Sequence, residues 1–282
     1  MELQTTGHPL RLLDFSSNRY SQFGEDGIIE KIFSLIGTRS RVCVEFGAWD
    51  GFHLSNTANL WTQGWKGVLI EGHRRRYQDL ISNVGQYDCV CVNAYVTRSG
   101  GNRIESLLGR AGITDVIDLL SIDIDGDEYY ILESLETMRP RVIICEYNPT
   151  IPADIDLYAP YGSNFGASVT ALSRIAVAKG YQLVALTHTN AFFVLSDDAA
   201  PLSGFLTDLA HLRINDSLIY LMTSYSGEYV ASRPGPYGQI FPYRGELIGP
   251  HFRLPSCSIW KRFMYDRWQS TKRMVKRVLR RD

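Results

Sequence analysis

The chain has 282 residues, of which 45% are hydrophobic and 21% are charged, and its formal net charge is −1. A chain of this length and apolar content can bury a substantial core, so we expect a globular protein. No stretch approaches the roughly 18 uncharged apolar residues of a membrane span. The first residues also lack a basic segment followed by an apolar run, as a secretory signal would have. These observations predict a cytoplasmic protein.

The first predicted element is a helix over residues 20–36, because its apolar residues recur at the i, i+3, i+4 spacing of one helix face. Five short segments that are apolar almost throughout then predict strands covered on both faces, at 42–46, 67–70, 89–94, 117–124 and 142–145. Helices are predicted between them at 54–63, 73–83, 102–110 and 127–137. This βαβ repetition predicts an open, doubly wound sheet with right-handed crossovers.

The end of the series differs from its beginning. A predicted helix at 168–179 precedes two apolar segments, 182–186 and 191–195, with four residues between them. Such a short connection cannot contain a parallel crossover, so the two strands should form an antiparallel hairpin. About seven strands, five parallel and then a hairpin, predict the Rossmann-like α/β sheet of class I methyltransferases rather than the all-parallel dinucleotide fold.

Acidic residues lie at the ends of the first two predicted strands. Glu45 lies near the end of the first strand and Glu71 at the end of the second, where doubly wound sheets bind their ligands. Gly47 and Gly51 permit a sharp turn around Asp50. Their spacing is GxxxG rather than GxGxxG, and the acidic side chains disfavour a pyrophosphate.

S-adenosylmethionine suits these residues better than a dinucleotide. Its ammonium favours a carboxylate, its carboxylate can accept backbone amides, and its ribose diol suits a bidentate Glu71. We assign Ser55 and Asn56 to the same site, and we expect the adenine beside Asn93 at the end of the third strand. The alternative is that Glu45 and Glu71 only cap helices.

A second acidic group follows the fourth and fifth predicted strands. Asp123, Asp125 and Asp127 follow the fourth strand, and Glu146 and Asn148 follow the fifth. In an extended segment residues i and i+2 face the same way, and neighbouring strand ends lie about 5 Å apart. Unpaired carboxylates this close repel one another, so a positive group is expected among them.

Three interpretations of the acidic group stay open. Mg²⁺ is the first, because it prefers carboxylate and carbonyl oxygens and lowers the pKa of a bound hydroxyl. Its predicted ligands are Asp123, Asp125, Glu146 and Asn148.

In the second interpretation Asp123 holds the sulfonium or ammonium end of the cofactor, while Asp125 acts as the general base. In the third, Asp125 and Asp127 cap the helix that begins near Glu128. His188, in the turn of the predicted hairpin, is a second candidate base because histidine titrates near neutrality.

Six segments, taken in order, resemble the FkbM-type S-adenosylmethionine-dependent methyltransferases. They are SQFGEDGII (21–29), VEFGAWDGFHLSNT (44–57), GWKGVLIEG (64–72), LSIDIDGDEYYIL (120–132), ICEYNP (144–149) and NAFFV (190–194). The resemblance covers roughly residues 20–195. It implies O-methylation of a hydroxyl, commonly on a sugar of a glycan, glycolipid or natural product.

The resemblance also implies roles for particular residues. Gln22 and Glu25 would close over the methionine end of the cofactor, although the residues alone predict two exposed helix positions. Asn190 would make a polar contact in the site. The acidic strand end is similar to that of the macrocin-type sugar O-methyltransferases, which implies Mg²⁺, but this chain offers Glu146 and Asn148 where those have an aspartate pair.

We predict a methyltransferase domain over residues 1–195, an extension of unknown fold over 196–257, and a basic amphipathic helix over 258–282. Within the first domain, residues 149–167 are rich in proline, glycine and tyrosine and are placed to cover a ligand. A short strand is predicted at 217–222. The aromatic residues of the insertion could stack on a sugar ring or pack down as a lid.

Residues 258–282 carry nine lysines and arginines and two aspartates, a net charge of +7. Such a helix can lie peripherally on the anionic inner surface of a membrane, or dock on the remainder of the chain or a sister subunit. We expect a saccharide or glycolipid acceptor and no nucleic acid partner. Whether the chain forms a homo-oligomer stays open. The competing functions are a metal-dependent glycosyltransferase that uses Asp123 and Asp125, and a non-catalytic binding module.

Overall fold

The computed structural model describes residues 10–213, 218, 220–223, 225, 229–231, 248–249 and 252–253. The chain divides into two compact units, Met1–Asp216 and Ser217–Asp282. Among the described helices, none combines the length and the apolarity that crossing a bilayer requires.

The first unit is an α/β sheet structure. Its strands are β1 (Val42–Phe46), β2 (Lys66–Ile70), β3 (Cys89–Val92), β4 (Leu119–Ile122), β5 (Val142–Glu146), β6 (Tyr181–Leu186) and β7 (Asn190–Leu195). Its helices are α1 (Glu25–Ile36), α2 (Ala58–Trp61), α3 (Arg74–Val84), α4 (Ile104–Arg110), α5 (Glu128–Ser134), α6 (Val169–Ala178) and α7 (Leu209–Leu212).

The seven strands form one sheet in the order β3-β2-β1-β4-β5-β7-β6. The neighbouring pairs among β1 to β5 are parallel, whereas β7 lies antiparallel between β5 and β6. The winding reverses direction between β1 and β4. The crevice at the carboxyl ends of these two strands is therefore the place where a sheet of this kind binds its ligand.

Alternate residues of each central strand face opposite sides of the sheet, and each side has its own apolar core. In β1, Val44 and Phe46 contribute to the core that α4, α5 and α6 cover, whereas Cys43 contributes to the core that α1, α2 and α3 cover. Both faces are buried under helices, which explains why the strands are apolar almost throughout.

Several predicted helices are shorter in the structure, among them α5, which was predicted over 127–137 but covers Glu128–Ser134. Helix α1 was predicted from residue 20 but begins at Glu25, because Gly24 has a φ of 96° and breaks the helical path. Helix α2 was predicted over 54–63 but covers only Ala58–Trp61, because Leu54 has a φ of 56°. The residues before α2 form a turn instead.

The fourth predicted strand is also shorter than expected. It was predicted over 117–124, but β4 ends at Ile122. The acidic residues that follow Ile122 therefore lie in a turn and not in extended backbone. Similarly, β3 ends at Val92, so Asn93 lies just beyond the strand.

In the second unit, the described residues form two short antiparallel ladders. Strand β8 (Leu221–Thr223) pairs with β9 (Tyr229–Ala231), and β10 (Ile248–Gly249) pairs with β11 (Phe252–Arg253). The strand predicted at 217–222 overlaps β8 only at its last two residues. The basic helix predicted for 258–282 lies outside the described residues.

Candidate active site

The turn after β1 brings the ends of β1 and β4 into contact. Gly47 has a φ of 77°, and a Cβ at this position would overlap the carbonyl oxygen of Asp123. Gly51 has a φ of 91° and lies against Val84 of α3. Between them, the Asp50 carboxylate accepts the backbone amide of His53 at 2.8 Å. The side chain of Asp50 therefore shapes this turn.

Glu71 joins the end of β2 to the turn after β1. Its side chain is buried, with one carboxylate oxygen accepting the backbone amide of Trp49 at 3.0 Å and the other accepting that of His73 at 2.6 Å. The N-cap of α3 is His73 and not Glu71. The Asn93 amide donates to the Glu71 carbonyl oxygen at 2.8 Å, so the ends of β2 and β3 meet there.

Glu45 holds the turn that precedes α2. Its buried carboxylate accepts the hydroxyls of Ser55 and Thr57, both at 2.6 Å, and the backbone amide of Asn56 at 2.9 Å. The side-chain amide of Asn56 donates to the Ser121 hydroxyl, so the network extends to β4. Burial raises the pKa of Glu45, and the three hydrogen bonds oppose this shift.

Glu25 is fully buried, which contradicts its interpretation as an exposed helix residue. Its carboxylate accepts the Thr187 hydroxyl at 2.6 Å, the Asn190 amide at 3.1 Å and the backbone amide of Phe23 at 2.6 Å. These bonds connect the start of α1 to the hairpin of β6 and β7. Gln22 is exposed, as the residues alone predicted, but it precedes α1 instead of lying in the helix.

Three carboxyl groups meet where β4 and β5 end. One ligand atom from each of Asp123, Asp125 and Glu146 lies within 4.8 Å of the other two. Burial and the neighbouring carboxylates raise the pKa of Asp123 to about 7, and the same causes raise that of Glu146 to about 10. Because the pKa of Glu146 lies well above neutrality, its carboxyl group keeps a proton beside Asp123 when no cation is present. Within the described part of the chain, no lysine or arginine pairs with this group.

Asp125 joins the acidic group through a backbone conformation that was not predicted. The prediction assumed extended backbone, but Asp125 has a φ of 61°, in the left-handed region. The carboxylates of Asp123 and Asp125 therefore converge because the chain turns sharply after β4. Asp125 is the exposed member of the group, whereas Asp123 and Glu146 are half-buried.

The capping interpretation is wrong for Asp127. This residue occupies the N-cap position of α5, but its side chain accepts no helix amide and instead accepts the backbone amide of Gly162 at 2.7 Å. Glu128, which the sequence did not single out, accepts the amides of Ile124 and Gly126 at 3.0 and 2.9 Å. An acidic residue at the first helical position was the available signal, because it suits a helix N-terminus.

Asn148 and His188 make contacts outside the acidic group. The Asn148 amide oxygen accepts both the backbone amide and the hydroxyl of Thr150, and its amide nitrogen donates to the Phe165 carbonyl at 2.8 Å. The half-buried His188 ring lies 4.9 Å from the ring of Phe23. Asn148 therefore holds the insertion, and His188 packs beside the segment that leads into α1.

An open cavity of about 520 Å³ lies at the opposite edge of the sheet. It is lined by Arg39, Arg41 and Lys66, among others, at the amino ends of the strands. None of the predicted site residues lines it. The acidic crevice is the better candidate site because ligands of doubly wound sheets bind at the carboxyl ends.

The strand order, the single reversed strand and the crevice between β1 and β4 define the Rossmann-like fold of class I methyltransferases. The fold class predicted from the sequence is therefore confirmed. No protein-family model and no curated protein matches the chain.

Several solved structures are similar to the chain. The Pyrococcus abyssi tRNA (uracil-54, C5)-methyltransferase in complex with S-adenosyl-L-homocysteine has 12% identity and a TM-score of 0.34, covering 63% of this chain and 39% of that one. M. capricolum TrmK in complex with S-adenosyl-homocysteine has 13% identity and a TM-score of 0.34, covering 59% and 65%. Precorrin-6y C5,15-methyltransferase from Geobacter metallireducens GS-15 has 12% identity and a TM-score of 0.37, covering 64% and 90%.

The chain thus spans less than two thirds of the length of the first two structures. The fold class is taken from the strand order of the chain itself. What the individual cofactor, metal and catalytic residues bind stays a prediction.

Proposed function

We propose that the chain is an S-adenosylmethionine-dependent O-methyltransferase of the FkbM type that acts on a hydroxyl of a sugar, within a glycan, a glycolipid or a glycosylated natural product. The observation that carries the proposal is the carboxyl edge of the sheet. There a buried Glu71 is hydrogen-bonded to the turn after β1, and three further carboxyl groups meet at the ends of β4 and β5.

Glu71 is suited to the ribose diol of the cofactor. Each of its carboxylate oxygens accepts one backbone amide and keeps a second lone pair, so two ribose hydroxyls can still donate to it. Glu45 has less capacity, because one oxygen already accepts two hydroxyls and the other accepts one amide. Its proposed contribution is a single hydrogen bond from the ammonium.

The proposed reaction is an in-line displacement. The acceptor oxygen bonds to the methyl carbon, the carbon–sulfur bond breaks, and S-adenosylhomocysteine leaves. Alignment of the two reactants can supply about 7 to 11 kcal/mol of the barrier. Asp125 is the proposed base for the hydroxyl proton, because it is the exposed carboxylate of the acidic group. His188 remains the second candidate.

The acidic group also fits a hard divalent cation. The proposed ligands are Asp123, Asp125 and Glu146, whose oxygens lie within 4.8 Å of one another. Asn148 is left out of the set because its amide oxygen already accepts two hydrogen bonds. A bound Mg²⁺ would lower the pKa of the acceptor hydroxyl.

Calorimetric titration with S-adenosylhomocysteine tests the proposal. We expect the wild type to bind it, Glu71→Ala and Glu71→Gln to bind at least tenfold more weakly, and Asp125→Ala to bind it as the wild type does but without turnover. Glu133→Ala is the control, because Glu133 is an exposed acid of α5. Circular dichroism checks that each variant is folded.

Other outcomes of the same titration would contradict the proposal. Binding of uridine diphosphate in the presence of Mg²⁺, with no binding of S-adenosylhomocysteine, would indicate the glycosyltransferase. Binding of neither compound would indicate a non-catalytic module. Repeating the titration with Mg²⁺ and with EDTA determines whether the acidic group takes a metal, independently of activity.

A further inference from the structure

The insertion between β5 and α6 lies directly against the acidic turn. The Gly162 amide donates to the Asp127 carboxylate at 2.7 Å, and the Phe165 carbonyl accepts the Asn148 amide at 2.8 Å. A bridge between Tyr158 and Ala167 closes this part of the insertion into a loop. Residues 158–167 therefore form a wall beside the acidic group of Asp123, Asp125 and Glu146.

The wall is aromatic, and its rings differ in what they contact. Tyr158 stacks on Tyr129 of α5, with ring centroids 3.9 Å apart and planes 4° apart. Tyr161 meets Tyr130 edge-on at 5.3 Å. Tyr161 is nevertheless 41% exposed and Phe165 is 53% exposed. Apolar rings on a fixed loop next to a crevice are suited to packing against a sugar ring.

Two arginines lie at this wall, and only one of them has a carboxylate partner. Arg174 binds Asp156 at 2.8 Å and also donates to the Tyr129 hydroxyl. Arg98 lies 4.5 Å from the ring centroid of Tyr161 and 5.3 Å from that of Tyr130. Within residues 10–213 and the other described positions, its guanidinium makes no hydrogen bond and no ion pair.

The cation–π contacts orient the Arg98 guanidinium without using its N–H groups. A guanidinium presents five donors in a planar fork that matches a carboxylate or a phosphate. We propose that Arg98, Tyr161 and Phe165 form a binding site for the acidic group and ring of a negatively charged sugar. The placement of this site beside the methyl acceptor rests on the proposed function, whereas the binding itself does not.

An acidic sugar would otherwise be repelled from this crevice. Three carboxyl groups meet at the ends of β4 and β5, and the buried Glu128 adds a fourth nearby. Arg98 is the cation of the wall without a carboxylate partner among the described residues, so it can offset this repulsion for a ligand that carries its own negative charge. The unused donors of Arg98 match a carboxylate or a phosphate, so the site would favour a sugar that carries such a group over a neutral sugar.

Saturation-transfer NMR and calorimetry with three sugars test the proposal on the full chain. D-glucuronate carries a carboxylate, glucose 1-phosphate carries a phosphate, and D-glucose carries neither. We expect at least one of the acidic sugars to bind at least tenfold more tightly than glucose. Arg98→Gln should remove this preference, and Tyr161→Ala should weaken binding more than Tyr161→Phe does.

Arg75→Gln is the matched control, because Arg75 is an exposed arginine of α3 with no ion pair among the described residues. It removes the same charge elsewhere on the unit and should leave binding unchanged. Binding of glucuronate alone indicates a carboxylate ligand, and binding of glucose 1-phosphate alone indicates a phosphate ligand. Equal binding of glucose, no binding of any sugar, or an equal loss in Arg75→Gln would overturn the proposal.

The S-adenosylhomocysteine titration separates this proposal from the proposed function. If an acidic sugar binds through Arg98 but S-adenosylhomocysteine does not bind, the methyltransferase proposal fails and the sugar site stands. If S-adenosylhomocysteine binds and no acidic sugar does, the reverse holds. Once an acceptor is turned over, Arg98→Gln should raise KM for it with kcat little changed, because Arg98 contacts the acceptor away from the reacting hydroxyl.

Discussion

Gly47 is the residue at which the turn after β1 touches the end of β4. A side chain there would need a φ of 77° and would overlap the Asp123 carbonyl oxygen. A left-handed conformation alone costs an L-residue about 1 to 2 kcal/mol, and the overlap adds to that cost. We expect Gly47→Ala to lower the free energy of unfolding by at least about 2 kcal/mol in urea denaturation and to weaken S-adenosylhomocysteine binding.

Gly64 provides a control for the backbone contribution. It has a φ of 83°, but a Cβ there would meet no atom within 4 Å. Gly64→Ala should therefore lower the free energy of unfolding only by the cost of the left-handed conformation. It should leave cofactor binding unchanged. Equal losses in the two variants would show that the contact between Gly47 and Asp123 has no effect of its own.

Single residues show which features of the site the sequence could predict. The position of Glu71 and of the acidic group followed from where the apolar strands end. The partners of Glu25 did not, because Thr187 and Asn190 are more than 160 residues away along the chain. A sequence pattern gives the end of a strand, whereas a hydrogen bond depends on which distant donors the fold brings there.

At the scale of elements, Asp118 and Arg141 fix the starts of β4 and β5 to the end of α1. Asp118 is fully buried and accepts the backbone amides of residues 39–41, and Arg141 donates to it at 3.0 Å. Arg141 also binds Asp198 at 2.9 Å and the carbonyls of residues 36 and 37. Removing one partner of such a buried pair leaves the other charge without compensation.

We expect Arg141→Met to lower the free energy of unfolding by about 3 to 5 kcal/mol, since two carboxylates lose their buried partner. The control is Arg174→Met, which breaks an ion pair of similar length, 2.8 Å, whose side chains are 50% and 43% exposed. Its loss should stay below about 1 kcal/mol. Urea denaturation of both variants measures the difference, and similar losses would contradict a role for burial.

The same scale shows why element types were predicted better than element bounds. Apolar spacing reports which face is buried, and it correctly gave the succession of strands and helices along the chain from α1 to β7. It does not report backbone conformation, so the left-handed residues Gly24 and Leu54 shortened α1 and α2 unexpectedly. The turn after Ile122 was not predicted, for the same reason.

At the scale of the whole molecule, the two edges of the sheet differ in how their charged residues are combined. Carboxylates gather at the carboxyl edge, whereas the cavity at the amino edge is lined by both signs of charge, Arg39, Arg41 and Lys66 together with Asp88 and Asp115. The sequence predicted the acidic edge because parallel strands end on the same side. It did not predict the cavity of mixed charge at the amino edge, whose residues precede the strands individually and form no motif.

The acidic edge should make the stability of the whole molecule depend on pH. Folding raises the pKa of Asp123 from 3.8 to about 7 and that of Glu146 from 4.5 to about 10, mainly through burial. The folded state therefore binds more protons than the unfolded state between these values. The stabilisation from these groups is complete below about pH 4 and is lost as the pH rises through about 7 and then towards 10.

Glu146→Gln tests this dependence, because glutamine keeps the size of the side chain and can donate to Asp123 without an ionisable proton. We expect the variant to melt a few degrees above the wild type at pH 8, since about 1 kcal/mol corresponds to roughly 2 to 4 °C in a domain of this size. At pH 4 the two melting temperatures should coincide.

Glu133→Gln, at an exposed position of α5, should follow the wild type throughout. A difference in melting temperature between wild type and Glu146→Gln that stays constant from pH 4 to 8 would show that folding does not raise the pKa of Glu146. Added Mg²⁺ should reduce the difference at pH 8 only if the acidic group binds it, because the cation would then stabilise the wild-type carboxylates in place of the proton.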